Sequence, residues 1–247
     1  MPEPARGPSR VAVSAPAGRA RWQWAIIDTM TGWLKLQAGV EAVLFDMDGT
    51  LVDSDAAVER AWRTWAGEYG VDPSATLAVA HGRPAEGTVR ELLPEADDAT
   101  VAAAAARQLA LQYDDLSDIA AAAGAAELLA RIAVPWAVVT SADRRLANAR
   151  LRAADVRPPV LITSEDVPEG KPDPAGYELA AARLGADPRR CLVVEDSEAG
   201  VQAGRAAGAL VAALKGLPGD IEITGLGELA QVLSSDRVLP PPAETAR

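Results

Sequence analysis

Cysteine and histidine are nearly missing from the 247-residue chain: each occurs once, at Cys191 and at His81. A lone cysteine excludes an intramolecular disulfide and fits a reducing cytoplasm. A lone histidine leaves no material for a Ser-His-Asp triad or a histidine-rich zinc site. Metal chemistry would then fall to carboxylates, and an all-oxygen donor set favours a hard cation such as Mg²⁺. Long apolar runs are missing too. The best candidate near the N-terminus, WAIIDTMTGWL, is broken by Asp28 and falls short of the roughly 18 to 20 residues that a membrane span needs. Positive charge is in deficit: 24 Lys+Arg against 35 Asp+Glu give a net charge of -11, which repels a phosphate backbone. The expectation is a soluble, cytoplasmic protein, monomer or weak homo-oligomer, with neither nucleic acid nor membrane as partner.

The length suits one large domain or a core carrying a smaller insertion. Residues 1–38 are rich in Pro, Gly, Ala and Arg, with Arg6, Arg10, Arg19 and Arg21 against Glu3 and Asp28, and read as a flexible extension; Met30 is a second candidate start. From residue 41 short apolar runs (EAVLF, WAVVT, PVLIT, CLVVE, ALVAAL) alternate with helical stretches, which predicts an α/β fold with a parallel sheet. Residues 54–122 break that rhythm. VERAWRTWAGEYG, GTVRELL and ATVAAAAARQLALQYDDL are helical in pattern, punctuated by Gly70 and Pro94, and the alanines at 102–106 are read as tightly packed helix. The expected organisation is a core of residues 39–53 and 123–238, a helical insertion at 54–122 and a flexible tail at 239–247. Trp62 and Trp65, three apart on one helical face, are expected to pack in a core.

In a parallel sheet, ligands bind at the carboxyl ends of the strands. The first apolar run ends in Asp46-Met47-Asp48, the second in Thr140-Ser141, the third in a loop carrying Lys171 and the fourth in Glu195-Asp196. An ordinary strand-ending loop explains any one of these, because Asp, Ser, Thr and Gly favour turns, but explains the four together poorly. A calcium loop fails: counted from Asp46, the glycine position holds Leu51 and the bidentate acid position Ala57. Phosphoryl transfer from an anionic monoester fits. A metal and Lys171 would neutralise charge, Thr140 and nearby N–H groups would hold phosphate oxygens, one carboxylate would attack and another would move the proton. On extended backbone Asp46 and Asp48 point to the same side, and Gly49 permits a tight turn behind them.

DMDGTLVD, VVTSA, GKPDP and VVEDSEAGVQAGRAAG resemble, in that order, the four motifs of the haloacid dehalogenase superfamily, most closely its helical-cap phosphatases and β-phosphoglucomutase-like members. The resemblance covers about residues 41–235 and implies a Rossmann-like parallel-sheet core with an inserted α-helical cap. It also implies Asp46 as nucleophile, Asp48 as general acid/base, Thr140 on phosphate with Ser141 and Gly49 beside it, and Lys171 stabilising nucleophile and phosphate. Mg²⁺ would be held by the Asp46 side chain, the Asp48 backbone carbonyl and Asp196, with Glu195 in or beside the shell. Asp48 and Glu195-Asp196 argue against the true dehalogenases, which lack the second aspartate and need no metal. Mutase-like relatives carry a cap histidine where this chain has Val58, which favours hydrolysis. HGRPAEGTVREL resembles the cap loop of sugar- and polyol-phosphate phosphatases and offers His81 and Arg83 to substrate. Cys191 is expected in the core, AGVQAGRAAGA as a close-packed helix without catalytic role, and Asp53 and Asp55 at the exit into the cap. The implied activity is Mg²⁺-dependent hydrolysis of a small phosphorylated sugar or polyol, a small-molecule phosphate ester, through an aspartyl-phosphate. A hexose phosphomutase, a phosphoglycolate phosphatase and an inactive binding module are the alternatives.

Overall fold

The computed structural model describes residues 31–80 and 85–234, so His81, Arg83 and the tail at 239–247 lie outside the described residues. The apolar runs form a six-stranded sheet in the order β5-β4-β1-β6-β7-β8, every neighbouring pair parallel. Its strands are β1 (Ala42–Phe45), β4 (Trp136–Val139), β5 (Leu161–Ile162), β6 (Cys191–Glu195), β7 (Leu210–Ala213) and β8 (Ile221–Glu222). β1 and β6 are buried throughout, as expected of strands covered by helices on both faces.

Strand periodicity divides the core in two. Val43, Phe45, Leu192 and Val194 point to one face, where they meet Leu128 of α6 (Ala125–Arg131), Leu151 of α7 (Arg144–Ala153) and Leu229 of α10 (Leu226–Val232). Ala42, Leu44, Cys191 and Val193 point to the other, against Tyr177 of α8 (Ala175–Leu184) and Val201 of α9 (Glu198–Ala206). Cys191 is core, as expected. Residues 31–37 form a helix, α1, in place of the end of a flexible extension, because Leu36 buries its side chain in the first of these clusters.

Between β1 and α6 the chain leaves the sheet through β2 (Val52–Asp53) and returns through β3 (Ala120–Ala121), which pair antiparallel. The helices α2 (Asp55–Tyr69), α3 (Pro73–Ala80), α4 (Ala85–Leu92) and α5 (Asp98–Asp114) lie between them. These share a separate apolar cluster around Trp62, Trp65, Val89, Val101 and Ala104. The two indoles meet edge-to-face at 5.4 Å, and Trp65 Nε1 donates to the Ala104 carbonyl at 2.9 Å, which ties α2 to α5. Gly70 closes α2 in the left-handed region at φ 68°, and the Asp97 side chain caps α5 by accepting from the Thr100 N–H. Helix α3 is not apparent from the sequence, being a short and almost uniformly apolar stretch with no 3.6-residue stripe. β2, β3 and β8 have two residues each and are too short to show a period. Among the described residues no helix is long and apolar enough to cross a membrane.

Candidate active site

β1 lies between β4 and β6, so the carboxyl ends of the three central strands open on the same side as the helical insertion. Just past β1, the Asp46 N–H still donates to the Val194 carbonyl of β6 at 3.0 Å, which holds this residue to the sheet. Lys171 enters from the loop after β5. Its ammonium has three donor protons and finds three acceptors: the Asp46 carboxylate, Glu195 Oε1 at 2.6 Å and the Val139 carbonyl at 3.1 Å.

Glu195 is fully buried and fully engaged. Oε1 accepts from Lys171 and from the Tyr177 hydroxyl at 2.7 Å; Oε2 accepts from the Asp196 N–H, the Ser197 N–H and the Ser197 hydroxyl at 3.0–3.1 Å. The last donors belong to the start of α9, whose N-terminal dipole end also favours negative charge. This saturation makes Glu195 the residue that orients Lys171.

Asp196 completes a carboxylate group: one oxygen each from Asp46, Glu195 and Asp196 lie within 4.8 Å of one another. Burial pushes the Asp46 carboxyl well up, against the pull of Lys171, and Glu195 and Asp196 push it further. Burial and the charge of Glu195 raise Asp196 to about 6. Burial would lower Lys171, but Asp46 and Glu195 raise it, so it stays cationic. Lys215, at φ 55° and so in the left-handed region, puts its ammonium 2.9 Å from Asp196 Oδ2 and 2.7 Å from Asp55 at the start of α2. Three carboxylates face two ammonium groups before any phosphate arrives. The all-oxygen donor set and this surplus of negative charge fit a hard divalent cation, with Glu195 already occupied by protein donors.

Asp48 stands apart from that group. The Ser54 hydroxyl at 2.7 Å and Arg150 Nη1 at 2.8 Å both bind its Oδ1. Arg150 is buried on α7, and its Nη2 donates to Gln112 Oε1 on α5 at 2.8 Å; Gln112 Nε2 donates to Gln108 Oε1 at 2.7 Å. A polar row therefore runs from the inserted helices to the Asp48 carboxylate. A second tie joins the same helices, from the Tyr113 hydroxyl to both Asp143 oxygens at 2.8 and 2.9 Å.

Asp46, Asp48, Thr140, Ser141 and Asp196 line one cavity of about 400 Å³, roofed by α2 and α5. Thr140 is buried, and its hydroxyl accepts from the Ala142 N–H at 3.1 Å, shaping the turn that carries Ser141. Gly49 makes the tight turn expected of it. Its N–H donates to the Val52 carbonyl at 2.8 Å and so is not offered to a phosphate oxygen. Its place reflects space and backbone: φ is 78°, and a Cβ would sit 2.1 Å from Asp196 Oδ2. Sequence reasoning missed Ser54, Gln108, Gln112, Arg150, Tyr177 and Lys215. The signal for two of these was present, since Arg150 shares the buried stripe of Leu146, Ala147 and Leu151, and Gln108 that of Val101 and Ala104.

A family model described as haloacid dehalogenase-like hydrolase matches residues 40–208. Hexitol phosphatase A of Escherichia coli is 43% identical over 175 residues, covering 69% of this chain and 81% of that protein. 2-Deoxyglucose-6-phosphate phosphatase 1 of Saccharomyces cerevisiae is 34% identical over 188 residues, covering 68% of this chain and 76% of that one. Among solved structures, CbbY from Rhodobacter sphaeroides in complex with phosphate superposes with a TM-score of 0.62 at 26% identity, covering 79% of this chain and 99% of that one. The chain belongs to the haloacid dehalogenase-like hydrolases.

Proposed function

We propose that the protein is a cytoplasmic, Mg²⁺-dependent phosphatase that hydrolyses a small phosphorylated sugar or polyol through an aspartyl-phosphate on Asp46. The observation that carries this reading is Lys171 bridging Asp46 and Glu195 beside Asp196, with Asp46, Asp196 and Thr140 lining one cavity at the strand ends. The phosphatase relatives support the same chemistry.

An Asp46 oxygen attacks phosphorus in line, the P–O bond to the alcohol breaks, and Asp48 gives a proton to the departing oxygen. Asp48 then takes a proton from a water that attacks the same phosphorus, which releases inorganic phosphate and restores Asp46. Ser54 and Arg150 hold Asp48 through Oδ1, so Oδ2 is left for proton transfer. Thr140 holds a phosphate oxygen, and Lys171, its three protons engaged by Asp46, Glu195 and the Val139 carbonyl, offsets the negative charge of Asp46 and the phosphate. Asp46, Asp196 and the Asp48 backbone carbonyl would hold Mg²⁺, with Glu195 beside them, and the ion would supply positive charge against the phosphate. Residues 54–122 act as the cap domain, with the β2–β3 pair as its two-stranded connection to the core. Val58, where mutase-like relatives carry a histidine, lines the cavity with an apolar side chain, which favours water as acceptor.

Phosphate release from a hexitol 6-phosphate tests the reading. Release is expected with Mg²⁺, and to be lost both on adding EDTA and in Asp46→Asn; turnover that survives both changes would sink it.

A further inference from the structure

Two buried donors take no part in the chemistry at the strand ends. Gln108 Nε2 and Arg150 Nε have no hydrogen-bond partner among the described residues, although Gln108 is 0% and Arg150 1% exposed. A buried N–H without an acceptor is costly, and native proteins rarely leave one so. Both residues line the cavity that holds Asp46 and Asp48.

Arg150 dictates which atoms are left over. A guanidinium has only donors, so Gln112 must turn its oxygen toward Arg150. Its amide nitrogen then faces Gln108, which must answer with its own oxygen. The row therefore ends in a free amide nitrogen, and the Nε–H of Arg150 remains as a second free donor. The missing partner is an acceptor. Asp48 already neutralises the guanidinium, and Glu86 and Asp143 add negative charge to the cavity lining, so a second anionic group is disfavoured. Neutral hydroxyl oxygens fit, while Trp62 and Leu109 supply apolar wall for a carbon chain.

We propose that Gln108, Gln112 and Arg150 form a hydroxyl-recognition subsite for the alcohol part of the phosphate ester, which makes the enzyme select polyhydroxylated monophosphates over deoxygenated, carboxylated or doubly phosphorylated esters. This inference rests on the phosphatase reading above. A site built to pair a substrate hydroxyl discriminates strongly against an analogue lacking it, because its own buried donors are then stranded.

Two measurements test it. With the unaltered protein, kcat/KM for glycerol 3-phosphate is expected to exceed that for n-propyl phosphate by about tenfold or more. In Gln108→Met, which keeps length and volume but removes the donor, the ratio of kcat/KM for a hexitol 6-phosphate to that for p-nitrophenyl phosphate is expected to fall about 10- to 100-fold. Equal rates on the two three-carbon esters, or an unchanged ratio in a variant that still melts cooperatively, overturn the subsite while leaving the phosphatase standing. If the variant fails to fold, the comparison of the two esters decides alone. No release from any ester, p-nitrophenyl phosphate included, overturns both readings.

Discussion

Replacing Gly200 by alanine is expected to disable the site from a position that touches no substrate. A Cβ on Gly200 would lie 1.7 Å from Glu195 Oε1 and 2.3 Å from Oε2. Ordinary contact begins near 3.5 Å, so the carboxylate must retreat by roughly 1.5 Å. A free side-chain end could do so at little cost, but this one is held by five donors, three of them at the start of α9 and the others on the buried Lys171 and Tyr177. Losing two such bonds to a charged group costs about 3–6 kcal/mol, which at roughly 2–4 °C per kcal/mol lowers the melting midpoint by about 6–24 °C. Lys171 follows Glu195, and misplacement by about 1 Å is expected to lower kcat/KM on the order of 10²-fold. Gly67 is the control. It lies on the exposed face of α2, where an added methyl would meet nothing within 4 Å, so Gly67→Ala is expected to stabilise by about 0.5–1 kcal/mol. Differential scanning fluorimetry and steady-state phosphate release measure both variants. A Gly200→Ala protein with wild-type melting and wild-type kcat/KM would refute the assignment of Glu195 as the fixed support of Lys171.

Lys215→Met removes a positive charge 2.9 Å from Asp196, so the Mg²⁺ concentration for half-maximal activity is expected to fall, by about tenfold; an increase would contradict the competition between ammonium and metal for that carboxylate. Burial, followed by the charge of Glu41, pushes the Cys191 thiol up to about 11, so the folded protein is expected to resist iodoacetamide at pH 8 and to react once unfolded. Rapid labelling of the native protein, read by mass spectrometry, would place Cys191 outside the core.

The five main strands were legible because each is a short apolar run ending in polar residues, and the motif residues because their chemistry clusters at those ends. The supporting residues were harder to read. Glu195 reads as one more acid of an acidic pair; only its five donors separate it from Asp196. Gly200 sits in a run of small residues that reads simply as close packing, and the atom it makes room for belongs to the Glu195 carboxylate beside Lys171 and Asp46. Arg150 and Gln108 are polar positions on otherwise apolar helical faces, which marks them as unusual, but the contact between α5 and α7 that joins them depends on how the inserted helices dock. Lys215 lies past β7, and its role depends on an uncommon backbone angle that a lysine does not announce.

The central claim is that Asp46 becomes phosphorylated. The most direct measurement is to quench a single turnover of a hexitol 6-phosphate in acid, reduce the acyl phosphate with borohydride and digest for mass spectrometry. The account predicts homoserine at position 46, formed only when substrate is present and absent from Asp46→Asn. Phosphate release with Asp46 left unmodified, or with the phosphoryl group on another side chain, would contradict it.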